Sequence, residues 1–139
     1  MEILEHYNIP LQGKKACVIG RSLVIGRPVS MMLMHKNATV VTCHTKTENP
    51  AAIASQADIL ICAAGQLHSI GPEYTNPTQV IIDVGINWDE TRGGISGDCD
   101  FDRVEPIVQA ITPVPGGVGG VTSSILINHV IEAAKKTIS

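Results

Sequence analysis

The residues best suited to chemistry lie in one stretch, Gly20-Arg21-Ser22-Leu23-Val24-Ile25-Gly26-Arg27-Pro28. It follows a short apolar run, Lys15–Gly20 (KACVIG), and opens a helix-forming run, Gly26–Lys36. Gly20 lets the chain turn sharply at the end of a strand, and Gly26 lets the helix or its backbone approach a pyrophosphate. A helix that starts after such a turn offers free N–H groups and a partial positive charge to an anion. The spacing is G-x-S-x-x-x-G, where dinucleotide sites more often read G-x-G-x-x-G. The chemistry predicted is the binding of a dinucleotide at a strand's carboxyl end.

The next strand should select which dinucleotide. Sites for NAD usually place Asp or Glu near its end, against the ribose hydroxyls. Here that end reads Thr42-Cys43-His44-Thr45-Lys46-Thr47, with no acid before Glu48. Hydroxyls and cations there attract the extra phosphate of NADP, which a carboxylate would repel. Arg21 and Thr45, with His44 or Lys46, are the candidates for that pocket. The plainer alternative makes Thr45 and Thr47 turn residues and Lys46 a solvated charge.

Such a site needs a parallel sheet, and the rest of the chain supplies one. Apolar, β-branched runs at Ala38–Cys43, Asp58–Ala63, Gln79–Val84 and Ala110–Pro113 read as further strands. Helices are expected after Asn49-Pro50 to about Gln56, as a single turn at Pro72–Thr75, and from Asp100 or Asp102 towards Gln109. Trp88–Gly97 reads as a surface hairpin or loop, and a final helix spans 121–138. Strands alternating with helices predict an α/β, Rossmann-type, mostly parallel sheet with helices on both faces. The final helix is apolar on more than one side, through Ile125, Leu126, Ile127, Val130, Ile131, Ala134 and Ile138. Either it is buried in this domain's own core, or it also packs against another domain or subunit.

Composition sets the outer limits. A chain of 139 residues points to one domain, and 44% hydrophobic residues exclude a disordered chain. Aromatics are scarce at 3%, so the core must be aliphatic. A net charge of −3 argues against nucleic acid as a partner, yet residues 1–46 carry six Lys and Arg against Glu2 and Glu5. That local balance suits a small phosphorylated ligand. Cys17, Cys43, Cys62 and Cys99 form no C-x-x-C pair, so buried reduced thiols are expected and no metal site. No stretch resembles a signal peptide or a membrane span. Asp83 ends a strand near the site, where a structural hydrogen-bonding role is favoured over a catalytic one.

Residues 20–28 resemble the GRSxxVGxP motif of the bifunctional methylenetetrahydrofolate dehydrogenase/methenyltetrahydrofolate cyclohydrolase family. Residues 42–47, Asp83-Val84-Gly85-Ile86-Asn87 and Ile111-Thr112-Pro113-Val114-Pro115-Gly116-Gly117-Val118-Gly119 agree with that family in order and spacing. The resemblance implies a hydride transfer from 5,10-methylenetetrahydrofolate to NADP, then hydrolysis to 10-formyltetrahydrofolate. It implies that Gly20, Arg21 and Ser22 touch the cofactor. Thr45 would sit by the 2′-phosphate, with Arg21 as its cationic partner, and Ile86 would meet the nicotinamide end through its backbone. The Pro115–Gly119 loop and Thr122 would border the cleft where folate and cofactor meet.

Two departures stand out. The family commonly reads Gly-Pro-Met-Thr where this chain has Gly119-Gly120-Val121-Thr122, which should loosen the loop and the helix start. The family's catalytic Tyr-x-x-x-Lys has no match, since Tyr7 and Tyr74 have no lysine four residues on. That motif and the folate site belong to an N-terminal domain, so no catalytic residue is expected here. Residues 1–12 would be the tail of the interdomain helix and its linker. The resemblance further implies a folate substrate reached through that domain, a homodimer in the full-length family, and a cytoplasmic location. A stand-alone nucleotide-binding or regulatory module is the competing reading.

Overall fold

A computed structural model describes residues 1–138. Its centre is a five-stranded parallel sheet in the order β2-β1-β3-β4-β7. The strands are β1 (Lys15–Ile19), β2 (Thr39–Cys43), β3 (Ile59–Cys62), β4 (Val80–Asp83) and β7 (Ala110–Ile111). β5 (Asn87–Asp89) and β6 (Gly94–Ser96) form a separate antiparallel hairpin, which begins one residue before the stretch 88–97 expected to be a hairpin or loop. The Rossmann-type α/β class expected from the sequence is the fold observed.

Each inner strand is a short apolar run buried on both faces, as a covered parallel sheet requires. Alternate residues serve opposite sides. Cys17, Leu60, Cys62 and Ile81 pack with Ala54, Ile70 and Val104, towards α3 (Pro50–Ala54) and α4 (Phe101–Val104). Val18, Ile59, Ile61 and Ile82 pack with Leu4 and Leu33, from α1 (Glu2–His6) and α2 (Gly26–His35). From β1 the chain moves to one side for β2 and to the other for β3. That reversal opens a crevice at the carboxyl ends of β1 and β3, where ligands of such sheets sit.

All four thiols are buried and free. Cys17 Sγ lies 3.8 Å from Cys43 Sγ, and Cys62 Sγ lies 3.4 Å from Cys99 Sγ. Among the described residues, no helix is long and apolar enough to cross a membrane.

Several local expectations need correction. Pro50 does open α3, but Asn49 has left-handed backbone (φ 47°) and makes no side-chain cap. Asp100 precedes α4, also without a side-chain cap, and α4 ends at Val104 well short of Gln109. The final helix, α5 (Val118–Ile138), begins three residues before the predicted 121, so Gly119 and Gly120 lie in its first turn. It is not buried in this domain's core. Leu126 is 63% exposed and Val130 61%, because no described element packs over the helix beyond its first two turns.

Candidate functional site

The phosphate turn is held by its neighbours on both sides. Gly20 N–H donates to Cys43 O at 2.8 Å, and Ala63 N–H donates to Ile19 O at 2.8 Å. Three strand ends, those of β2, β1 and β3, therefore meet at Gly20. Its φ of +123° is disfavoured for any residue with a Cβ, and such a Cβ would lie 2.1 Å from Ala63 O. Only glycine fits there.

Gly26 is constrained by the turn itself. A Cβ on it would lie 2.2 Å from Gly20 O and 2.8 Å from Arg21 N. Its missing side chain lets α2 close against the turn itself. Ser22 caps the same corner: its Oγ accepts from Ile25 N–H (3.1 Å) and Gly26 N–H (3.4 Å), and its carbonyl accepts from Arg27 N–H. Arg27 Nε donates to Arg21 O at 3.2 Å. Among the described residues, nothing accepts the amide N–H groups of Arg21, Ser22, Leu23 and Val24. These exposed donors, beside the positive end of a ten-residue helix, fit a pyrophosphate.

The end of β2 forms a tight turn over His44–Thr47. Thr47 N–H donates to His44 O, His44 N–H to Thr47 Oγ1, and Lys46 N–H to His44 Nδ1. His44 and Thr47 are thus engaged in shaping the turn, as the plainer reading had it for Thr47. Thr45 and Lys46 stand exposed on it. Since Gly20 bonds Cys43, Arg21 and this turn leave the sheet from neighbouring strand ends.

On the other side of the crevice lies a cleft of about 500 Å³. Ile25, Val84, Ile86, Val114, Gly117 and Thr122 are among its walls. The structure therefore brings Ile86 and Thr122 together, and places Gly20, Arg21, Ser22 and Thr45 outside this cleft on the adjoining turns. Ile25, at the end of the phosphate turn, joins the two regions; the sequence reading missed it because it is an ordinary apolar residue inside a motif. Thr122 Oγ donates to Val118 O at 2.9 Å, back along its own helix.

Asp83 also borders the cleft, but its carboxylate is occupied. Oδ1 accepts from Gly85 N–H (2.9 Å) and Asp98 N–H (3.1 Å), and Oδ2 accepts from Cys99 N–H (2.8 Å). Burial pushes its pKa up, and these three donors hold it partly back. The structural role expected of Asp83 is the one observed.

Residues 1–138 match the family model for the tetrahydrofolate dehydrogenase/cyclohydrolase NAD(P)-binding domain. The chain belongs to this family. It is 52% identical over 136 residues to the bifunctional protein FolD of Carboxydothermus hydrogenoformans, covering 97% of this chain and 47% of that protein. FolD of Clostridioides difficile is 50% identical over 135 residues, with the same coverage. The crystal structure of the Campylobacter jejuni FolD dehydrogenase/cyclohydrolase superposes with a TM-score of 0.94 at 41% identity, over 98% of this chain and 48% of that one. The Trypanosoma brucei FolD structure, complexed with NADP cofactor and an inhibitor, gives a TM-score of 0.91 at 34% identity, over 100% and 49%. The chain spans about half the length of the relatives it matches.

Within this NAD(P)-binding domain, Gly119-Gly120-Val121-Thr122 stands where the family resemblance led us to expect Gly-Pro-Met-Thr. With no proline to mark a start, helical backbone runs from Val118 through both glycines, and Thr122 sits on the second turn.

Proposed function

We propose that this chain is the NADP-holding half of a two-domain methylenetetrahydrofolate dehydrogenase/cyclohydrolase. The observation that carries the reading is the joint between the β1 and β2 ends. The bond from Gly20 to Cys43 sets Arg21 beside a turn bearing exposed Thr45 and Lys46. That turn carries no carboxylate before Glu48. A cation and a hydroxyl suit the 2′-phosphate, whereas NAD sites favour an acid there.

The residues divide the work along the crevice. Open amides of Arg21, Ser22, Leu23 and Val24, on the turn that Gly20 allows, receive the pyrophosphate. Arg21 and Thr45 hold the 2′-phosphate. Ile86, 68% exposed in the cleft, meets the nicotinamide end through its backbone, and Thr122 borders the folate side. What the nicotinamide supplies, when bound, is a hydride acceptor. In the overall reaction a hydride leaves 5,10-methylenetetrahydrofolate, and water then opens the methenyl ring to 10-formyltetrahydrofolate.

Acid–base chemistry needs a titratable group within hydrogen-bond reach of the reacting atoms. Asp83 is the titratable residue on the cleft wall, and three amides occupy its carboxylate. This supports assigning the catalytic group and the folate site to the half that the chain does not span. The reading has two arms to its test. Calorimetric titration should give NADP an affinity at least tenfold above NAD; equal or absent binding would overturn the cofactor assignment. Methenyl formation by this chain alone should be undetectable, and substantial turnover would place the chemistry here instead.

A further inference from the structure

Asp98 is fully buried, and no residue type in its neighbourhood of sequence marks it out. Its carboxylate collects four N–H donors from two separate segments. Oδ2 accepts from Ala64 N–H at 2.6 Å and Gly65 N–H at 3.0 Å. Oδ1 accepts from Gln66 N–H and from Asn87 Nδ2, both at 3.0 Å. Among the described residues, no cation pairs with it. A buried charge is a costly way to fill space, and it persists only where donors converge on it.

The two segments it joins are the strand ends that flank the cofactor crevice away from β2. Residues 64–66 continue β3 directly beyond Ala63, whose carbonyl lies against Gly20. Residues 85–87 continue β4 and carry Ile86 into the cleft. β3 and β4 pair only as far as Cys62 and Asp83, so beyond that point the ladder no longer sets their spacing. Asp98 Oδ1 does so instead, holding Gln66 and Asn87 on one oxygen. Asp98 is itself fixed from below, through its N–H to Asp83 Oδ1 and its carbonyl to Ile70 N–H.

We propose that Asp98 is a positioning residue for the nicotinamide side of the crevice: its carboxylate sets the separation of segments 64–66 and 85–87, and so the seat of Ile86. This rests on the reading that the crevice holds NADP. The Arg21 and Thr45 side is anchored by the bond from Gly20 N–H to Cys43 O, which involves no atom of Asp98.

The test uses two ligands that differ in the nicotinamide half. NADP spans the whole crevice; 2′,5′-adenosine diphosphate carries the adenosine and its 2′-phosphate but no nicotinamide. In the 139-residue chain, Asp98→Asn replaces one acceptor oxygen by a donor facing donors. It should weaken NADP at least tenfold by calorimetry and leave 2′,5′-adenosine diphosphate within twofold. A loss equal for both ligands would show a merely structural role and overturn the proposal, as would no loss for either. If Asp98→Asn lacks a cooperative thermal transition, Asn87→Ala decides. It removes one donor and keeps the three backbone bonds, and should weaken NADP about threefold with the half-ligand unchanged. No selective effect there would overturn the proposal. Failure of the wild-type chain to bind either ligand would instead sink the cofactor reading, and this inference with it.

Discussion

Gly26 lies so close to Gly20 that a Cβ built on it would sit 2.2 Å from the Gly20 carbonyl oxygen. The obstacle is backbone, which cannot swing aside as a side chain can. Alanine has the better helix propensity by about 1 kcal/mol, but at this position the clash outweighs it. Gly26→Ala should cost about 1–3 kcal/mol of stability by urea denaturation and weaken NADP, because relief requires the turn to open. Gly119→Ala is the control. Nothing lies within 4 Å of its added Cβ, and it sits inside a helix. It should gain about 0.4–1 kcal/mol, chiefly by restricting the unfolded chain. If both variants behave alike, the packing of α2 onto the turn is not what requires Gly26.

Arg21 should discriminate between the two dinucleotides. Its backbone lies within the turn that would receive the shared pyrophosphate, and the residue is exposed and follows Gly20, which bonds the end of β2. Hydrogen bonds to charged groups are worth about 1.5–3 kcal/mol. Arg21→Ala should therefore lower NADP affinity about 10- to 150-fold and NAD affinity little, as read by calorimetry. An equal loss for both would assign the side chain to the pyrophosphate.

The buried thiols make stability fall on the alkaline side. Burial raises the pKa of Cys17 and Cys43; contact with Cys99, then burial, raises that of Cys62. In the unfolded chain these thiols ionise near about pH 8.5. Above that pH the unfolded state holds fewer protons than the native one, so stability drops as pH rises. Their contribution is complete below about pH 8.5, and each thiol takes away at most about 1.4 kcal/mol per pH unit above it. The urea midpoint should decline between about pH 8.5 and 10, and Cys62→Ala should make that decline shallower. A midpoint that stays level across the range would contradict the burial of these thiols.

How much of this was legible beforehand depended on distance along the chain. β1, the turn and α2 are consecutive, and their residue types alone located them to within a residue. The parallel α/β class followed from the alternation of apolar runs and helical stretches, whereas the strand order β2-β1-β3-β4-β7 did not. Asp98 was not legible, because its partners Ala64, Gly65 and Gln66 lie 34, 33 and 32 residues away. No local pattern distinguishes a carboxylate that collects amides from one facing water. Asn49 misled for the opposite reason: its type and the following Pro50 suit an N-cap, but its left-handed backbone makes no such bond. Gly26 was assigned to the right turn, but its closeness to the Gly20 carbonyl was not legible, since spacing does not say what approaches a missing Cβ.

The apolar side chains of α5 were legible, but their surroundings were not. Sequence shows Leu126, Ile127, Val130 and Ile131 as apolar whether or not anything covers them, and among the described residues little does. Burial in the domain therefore contributes little through them, whereas Leu33 on α2 is fully enclosed. Leu33→Ala should cost about 2–5 kcal/mol, the range for deleting a buried leucine with its cavity. Val130→Ser should stay within about 0.5 kcal/mol, as an exposed substitution does. The Val130→Ser value must be measured at several protein concentrations. A concentration-dependent loss would show that the helix is covered by a second copy in solution. A large loss independent of concentration would mean that α5 folds back over this domain, contrary to the exposure of Leu126 and Val130.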